Sequence, residues 1–184
     1  AEHADPKTLR SYHMVLLVKN EQGLKNLYKL ISSNYIDYFH KHPRIPKTLL
    51  NDHREGLIVG GACEQGEVFS AIKSNRSFED ICAIAEYYDY LEIQPLSNNR
   101  FLLEKNEVES EEQLREFNRT VLRVADKVGR PVCATCDAHY MDDCDEIGRK
   151  ILQFSQGFSD SDRYHGLYLR TTEEMLDEFS YLGD

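Results

Sequence analysis

No stretch of this 184-residue chain approaches the roughly 18 consecutive apolar residues that a membrane-crossing helix needs, which excludes such a span. Ala1 to Arg10 is polar and lacks the pattern of a secretory leader, so a cytoplasmic location and no membrane partner are expected. Positive charge is in the minority. With 22 Lys and Arg against 32 Asp and Glu, the formal net charge is −10, which argues against a broad basic surface gripping duplex DNA. A segment that accompanies a DNA-binding neighbour is still allowed. The five cysteines are odd in number and show no framework spacing, which fits a reducing compartment better than a disulfide scaffold. There is no internal repeat and no low-complexity tract.

What is present is ordinary globular material, 41% hydrophobic and 29% charged, enough for one core of normal size. Short apolar runs alternate with amphipathic stretches. Tyr12 to Lys19 reads as a buried strand, and Glu21 to Ile36 as a helix with Leu24, Leu27, Leu30 and Ile31 at helical spacing. A basic, proline-containing loop (His40 to Pro46) and a helical turn (Lys47 to Asp52) lead to a second strand, Leu57 to Gly61. Helices are expected over Gly66 to Lys73 and Phe78 to Tyr88, with Cys82 a small core residue on the latter. Tyr90 to Ile93 is a third strand stopped by Pro95, and Asn98 to Asn106 reads as a loop or an extended edge. Ser110 with Gln113 caps a helix that Gly129 closes, and Pro131 to Thr135 is the fourth strand. Asp142 to Phe154 is expected to be helical, Tyr164 to Arg170 extended, and Thr171 with Glu174 caps a last helix, Glu173 to Phe179. Strand and helix in alternation imply an α/β fold with a mostly parallel sheet.

In such folds functional side chains gather beyond the C-terminal ends of the strands. Two segments satisfy that rule: Ala62 to Glu67 after the second strand, and Cys136 to Tyr140 after the fourth. Within the latter, Asp137-x-His139 is a sensible metal pair, because a carboxylate and an imidazole two residues apart on extended backbone point to one side. Cys133-x-x-Cys136 does not continue into a four-cysteine zinc site, and an offset of three puts the two thiols on opposite faces. Cys133 is therefore expected to pack in the core. His40-x-His42 stands among Lys41 and Arg44, whose charge opposes a cation, and reads as an exposed basic loop. His13, on an apolar strand, is by itself more often a satisfied side chain than a ligand. Asp142, Asp143 and Asp145 read as an acidic helix N-terminus.

Six segments together resemble one family: Tyr12 to Ser32 (YHMVLLVKNEQGLKNLYKLIS), Pro43 to Leu50 (PRIPKTLL), Glu55 to Ile72 (EGLIVGGACEQGEVFSAI), Tyr90 to Pro95 (YLEIQP), Arg130 to Leu152 (RPVCATCDAHYMDDCDEIGRKIL) and Leu167 to Gly183 (LYLRTTEEMLDEFSYLG). The chain is similar to the polymerase-and-histidinol-phosphatase (PHP) domain of PolC-type DNA polymerase III α subunits of low-GC Gram-positive bacteria. The resemblance implies part of a distorted (β/α)₇ barrel with metal ions at the strand ends, residues 1–10 being a linker or tail and 11–184 the C-terminal portion of the domain. It also makes His13, Cys63, Asp137 and His139 metal ligands, for zinc, manganese or magnesium.

The family's opening His-x-His motif has no counterpart ahead of His13, so the chain is expected to be the portion that follows an exonuclease insertion. On this resemblance the parent is a DNA-directed DNA polymerase with a 3′–5′ exonuclease, and the isolated chain is a structural, metal-binding piece without activity of its own. The expected partners are the rest of the polymerase chain and the replisome, with DNA reached through other domains. Open sheet edges are expected to favour a homodimer. The alternatives are a free-standing PHP phosphoesterase and a metal-free interaction module. Gly148, inside a predicted helix, departs from the family pattern, as does the missing proline after Tyr140.

Overall fold

The computed structural model describes residues 8–158, 161–163 and 166–183. Its first strand, β1 (Val15–Val18), runs into Asn20, whose side-chain oxygen accepts the Gly23 N–H at 3.0 Å and starts helix α1 (Glu21–Ile36). Gly23 has no side chain for a reason. The Gly56 carbonyl lies where its Cβ would be, and Gly56 itself takes a positive φ of 75° that suits glycine. This contact brings the residue before strand β2 (Leu57–Gly60) alongside the residues after β1. The strands consequently pair antiparallel, from Val15 opposite Gly60 to Val18 opposite Leu57. A sixteen-residue helix is about 24 Å long. The proline-containing segment of residues 37–46 and helix α2 (Lys47–Asp52) return the chain over that length.

Asp89 joins the first two strands to the rest. One carboxylate oxygen accepts the Val59 N–H at 2.7 Å, and the other meets the Arg54 guanidinium at 3.1 Å. A parallel bridge between Gly60 and Tyr90 follows, and then β3 (Leu91–Ile93), which is parallel to β4 (Val132–Ala134) with Leu91 opposite Val132. The strand order is β1, β2, β3, β4, as two ladders linked by that single bridge. The sheet is therefore mixed: β1 runs antiparallel to β2, where the Gly23–Gly56 contact sits, and the junctions of β2 with β3 and of β3 with β4 are parallel. β1 is not fully buried: Leu17 and Val18 are 46% and 42% exposed on the outer strand.

The core lies between these strands and helices α3 (Glu67–Lys73), α4 (Phe78–Ala85) and α6 (Glu111–Val128). Leu114, Phe117, Val121 and Val124 form one buried face of α6, and Phe117 meets Phe69 of α3 edge-on at 5.4 Å. Ser110 caps α6 by accepting the Gln113 N–H, and Gly129 ends it in a left-handed conformation. Gln113 answers not Ser110 but Glu109, whose N–H it accepts at 2.8 Å. Cys82 is buried on α4, as its pattern predicts, although this helix ends at Ala85 and not at Tyr88.

Residues 98–106 are not a loop or an edge. Helix α5 (Leu96–Glu104) occupies most of them, buries Asn99 and Leu102, and receives its N-terminal cap from afar, where the Glu178 carboxylate accepts the Leu96 N–H at 2.9 Å. Asp143–Asp145 forms a 3₁₀ turn ahead of α7 (Glu146–Ser155), and the Thr171–Glu174 capping box opens α8 (Thr172–Glu178) as expected. Cys133 is exposed, contrary to its expected place in the core, because β4 has two exposed residues in three. Of the extended segment expected over Tyr164 to Arg170, Tyr164 and His165 lie outside the described residues; Tyr168 forms a parallel bridge with Tyr140.

Candidate metal centre

His13 stands just before β1, the wrong end of a strand for a ligand in a parallel fold. The antiparallel pairing removes the difficulty, since the start of β1 lies beside the end of β2. His13 donates its backbone N–H to the Gln65 carbonyl at 3.0 Å and pairs with Gly66, which fixes it against the turn that follows β2. In that turn Gly60 lies against the Tyr90 ring with no room for a Cβ, and Ala62 adopts a φ of 58°. The turn delivers Cys63, whose Sγ is 3.5 Å from His13 Nδ1. Burial, foremost, pushes the Cys63 thiol up to about 11, with the Glu64 carboxylate adding to the rise and a backbone hydrogen bond at Gln65 opposing it.

Asp137 and His139 follow β4. His139 Nδ1 donates to the Asp137 carbonyl oxygen at 2.8 Å and lies 3.6 Å from the Asp137 Oδ2 atom. A carbonyl can only accept, so the ring proton resides on Nδ1 and Nε2 presents a lone pair. The backbone of this segment is held by two hydrogen bonds, His139 N–H to Leu167 and Leu169 N–H to Tyr140. Both side chains are open to solvent.

A cleft of about 430 Å³ contains His13, Cys63 and Asp137, together with Glu92, Thr135 and Cys136. His139 is not on its wall. Four expected ligands thus form two pairs, of which one member of the second shares the cleft with the first. Among the described residues no three His, Cys, Asp or Glu side chains are grouped as they stand closely enough to hold one ion.

The donor chemistry nevertheless fits a divalent cation such as zinc. A nitrogen about 2.1 Å and a sulfur about 2.3 Å from one tetrahedral ion stand about 3.6 Å apart, and the His13–Cys63 separation is 3.5 Å. Glu92 lies on the same cleft, where its Oε2 accepts from the Thr135 hydroxyl at 2.8 Å. Sequence reasoning passed over Glu92, although an acidic residue within the apolar run YLEI was the signal available. A broader hollow of about 570 Å³, lined by Lys19, Arg54, Asp89 and Tyr90, contains none of the expected ligands.

These features define the class: a mixed α/β domain with histidine, cysteine and aspartate side chains brought to one cleft at its strand ends. The chain belongs to the PHP domain family, whose pattern it matches over residues 2–108. It is 47% identical over 180 residues to a PolC-type DNA polymerase III of Clostridium perfringens, an alignment covering 98% of this chain and 12% of that protein. The PolC-type DNA polymerase III of Caldanaerobacter subterraneus is 52% identical over 180 residues, covering 98% and 13% respectively. That of Bacillus subtilis is 46% identical over 178 residues, covering 95% and 12%. The chain thus spans about an eighth of the length of these relatives.

Proposed function

We propose that this chain serves as a metal-holding structural portion of a PolC-type replicative DNA polymerase, built as part of a distorted (β/α)₇ PHP barrel and inactive in isolation. The observation that carries this reading is the 3.5 Å approach of His13 Nδ1 to Cys63 Sγ, the separation two ligands of one tetrahedral ion adopt. Asp137 turns into the same cleft to add an oxygen, and His139, braced on the Asp137 carbonyl, offers Nε2 to a neighbouring position. Nitrogen, sulfur and oxygen donors favour zinc over magnesium, which prefers oxygen alone. A divalent ion bound here would polarise a phosphoryl oxygen as a Lewis acid. Two ligand pairs do not complete the several ion shells a hydrolase of this family is expected to use, so the reading assigns binding and rigidity to this chain, not turnover.

Its partners are then the rest of the polymerase polypeptide and the replisome, with DNA reached through other segments and a cytoplasmic location. Elemental analysis after dialysis against zinc tests the reading. About one ion per chain is expected, lost in Cys63→Ser and His13→Ala. A chain that retains no metal overturns it. A phosphoesterase assay with added manganese or zinc should give no turnover; sustained hydrolysis of a phosphomonoester would make the chain an independent enzyme instead.

A further inference from the structure

The cleft that contains His13, Cys63 and Asp137 is also bordered by α5, through Ser97, Arg100 and Phe101, and by Leu167 of the C-terminal segment. That segment ties α5 to the residues after β4. On the β4 side, the His139 N–H donates to the Leu167 carbonyl at 2.8 Å, the Leu167 N–H to the Tyr140 hydroxyl at 2.9 Å, and the Leu169 N–H to the Tyr140 carbonyl at 3.0 Å. On the α5 side, the Arg170 guanidinium donates to the Ser97 hydroxyl at 3.0 Å, and Glu178 accepts the Leu96 N–H at 2.9 Å.

Little apolar burial holds the segment down. No residue of α8 is buried, and Leu169 and Leu176 are 50% and 69% exposed. Beyond α8 the chain is anchored again, where the Tyr181 hydroxyl accepts from the Asn118 amide at 2.7 Å and Phe179 packs on the core. At the near end Gly166 takes a φ of 61°, a conformation in which glycine turns without strain. A stretch secured by a few hydrogen bonds and little buried surface opens locally at less cost than the core around it.

We propose that residues 166–178 form a strap that closes one side of the cleft and opens as a single unit, with Tyr140 and Glu178 as its two fastenings. Both are positioning residues. Tyr140 holds the strap to the backbone that carries His139, and Glu178 holds it to α5. The strap requires no ion in the cleft, so it stands or falls apart from the metal reading.

Hydrogen exchange of the purified chain, followed amide by amide by NMR, tests the strap. In wild type the amides of Leu96, His139, Leu167 and Leu169 should exchange through one common opening, faster than those of Val121 and Val124 on α6. Glu178→Ala should speed exchange at His139, Leu167 and Leu169 about fivefold, although none of the three is hydrogen-bonded to Glu178, and leave Val121 and Val124 unchanged. Glu178→Gln, which keeps an acceptor, should restore most of the protection. Tyr140→Phe should act in the reverse direction and speed exchange at Leu96. Maleimide modification of the partly buried Cys63, read by mass spectrometry, should accelerate in Glu178→Ala and Tyr140→Phe. Faster exchange confined to the first turn of α5 in Glu178→Ala would make Glu178 a local helix cap and overturn the strap. Unchanged Cys63 labelling alongside faster exchange overturns its closing of the cleft. Should Glu178→Ala loosen α6 as well, the Leu96 amide in Tyr140→Phe decides the matter.

Discussion

Tyr88 is fully buried, and its hydroxyl donates to Glu67 Oε2 at 3.0 Å. Burial, foremost, and then the Glu67 charge hold this phenol protonated well above the usual tyrosine range. The consequence for stability follows from linkage. Above about pH 10 the unfolded chain gives up this proton while the folded chain keeps it, so the stability present below that pH is lost as pH rises. Denaturation midpoints measured from pH 8 to 11 should therefore fall, and Tyr88→Phe should reduce the fall. A variant whose midpoint declines as steeply as wild type would contradict this account. Residues of this kind show how much of the site was legible beforehand. Asp137 and His139 stand in one short motif, and their pairing could be read from spacing. Glu92 is marked in sequence only as an acidic residue within an apolar run, and its place on the cleft results from the packing of strands that are distant in sequence.

At the scale of elements, caps written within four residues of sequence form where they are read, although the Gln113 side chain turns to Glu109 and leaves the Ser110 box one-sided. Ser110 accepts from Gln113, and Thr171 and Glu174 satisfy one another's N–H groups. The element that sequence misassigned, α5, is capped by Glu178 from 82 residues away, a partner that local reasoning has no means to see. Helix α7 offers a clean test of intrinsic propensity. Gly148 lies within it, and a Cβ added there would meet nothing within 4 Å. Gly148→Ala should stabilise the chain by about 0.5–1 kcal/mol, read from urea unfolding, because it removes the backbone entropy of glycine without introducing a clash. Loss of stability would show that α7 packs more closely than this arrangement allows. Gly23→Ala should do the reverse. It destabilises by about 1–3 kcal/mol or more, since the Gly56 backbone cannot yield as a flexible side chain would.

At the scale of the molecule, apolar surface remains uncovered. Ile147, Ile151, Leu152 and Phe154 of α7 are each more than 60% exposed, and β1, which carries Leu17, has an edge with no strand beside it among the described residues. Proteins of which such a chain is one part cover surface of this kind with their remaining polypeptide, and the isolated chain is expected to cover some of it with a second copy. Sedimentation equilibrium should show concentration-dependent dimers, reduced in Leu17→Lys by a charge placed on the strand edge. A wild-type chain that stays monomeric throughout would remove the edge from consideration.

Sequence by itself determined the helices with their local caps, the α/β class, the buried faces of α4 and α6, and the motifs that carry His13, Cys63, Asp137 and His139, because periodicity and short-range hydrogen bonding act within a few residues. Tertiary structure alone decided the sense of β1, the helix at residues 96–104, the exposure of Cys133 and the place of Glu92 in the cleft. The physical reason is common to all four. Each depends on a contact between segments far apart in the chain, such as Gly23 on Gly56 or Glu178 on Leu96, whose geometry no local pattern encodes.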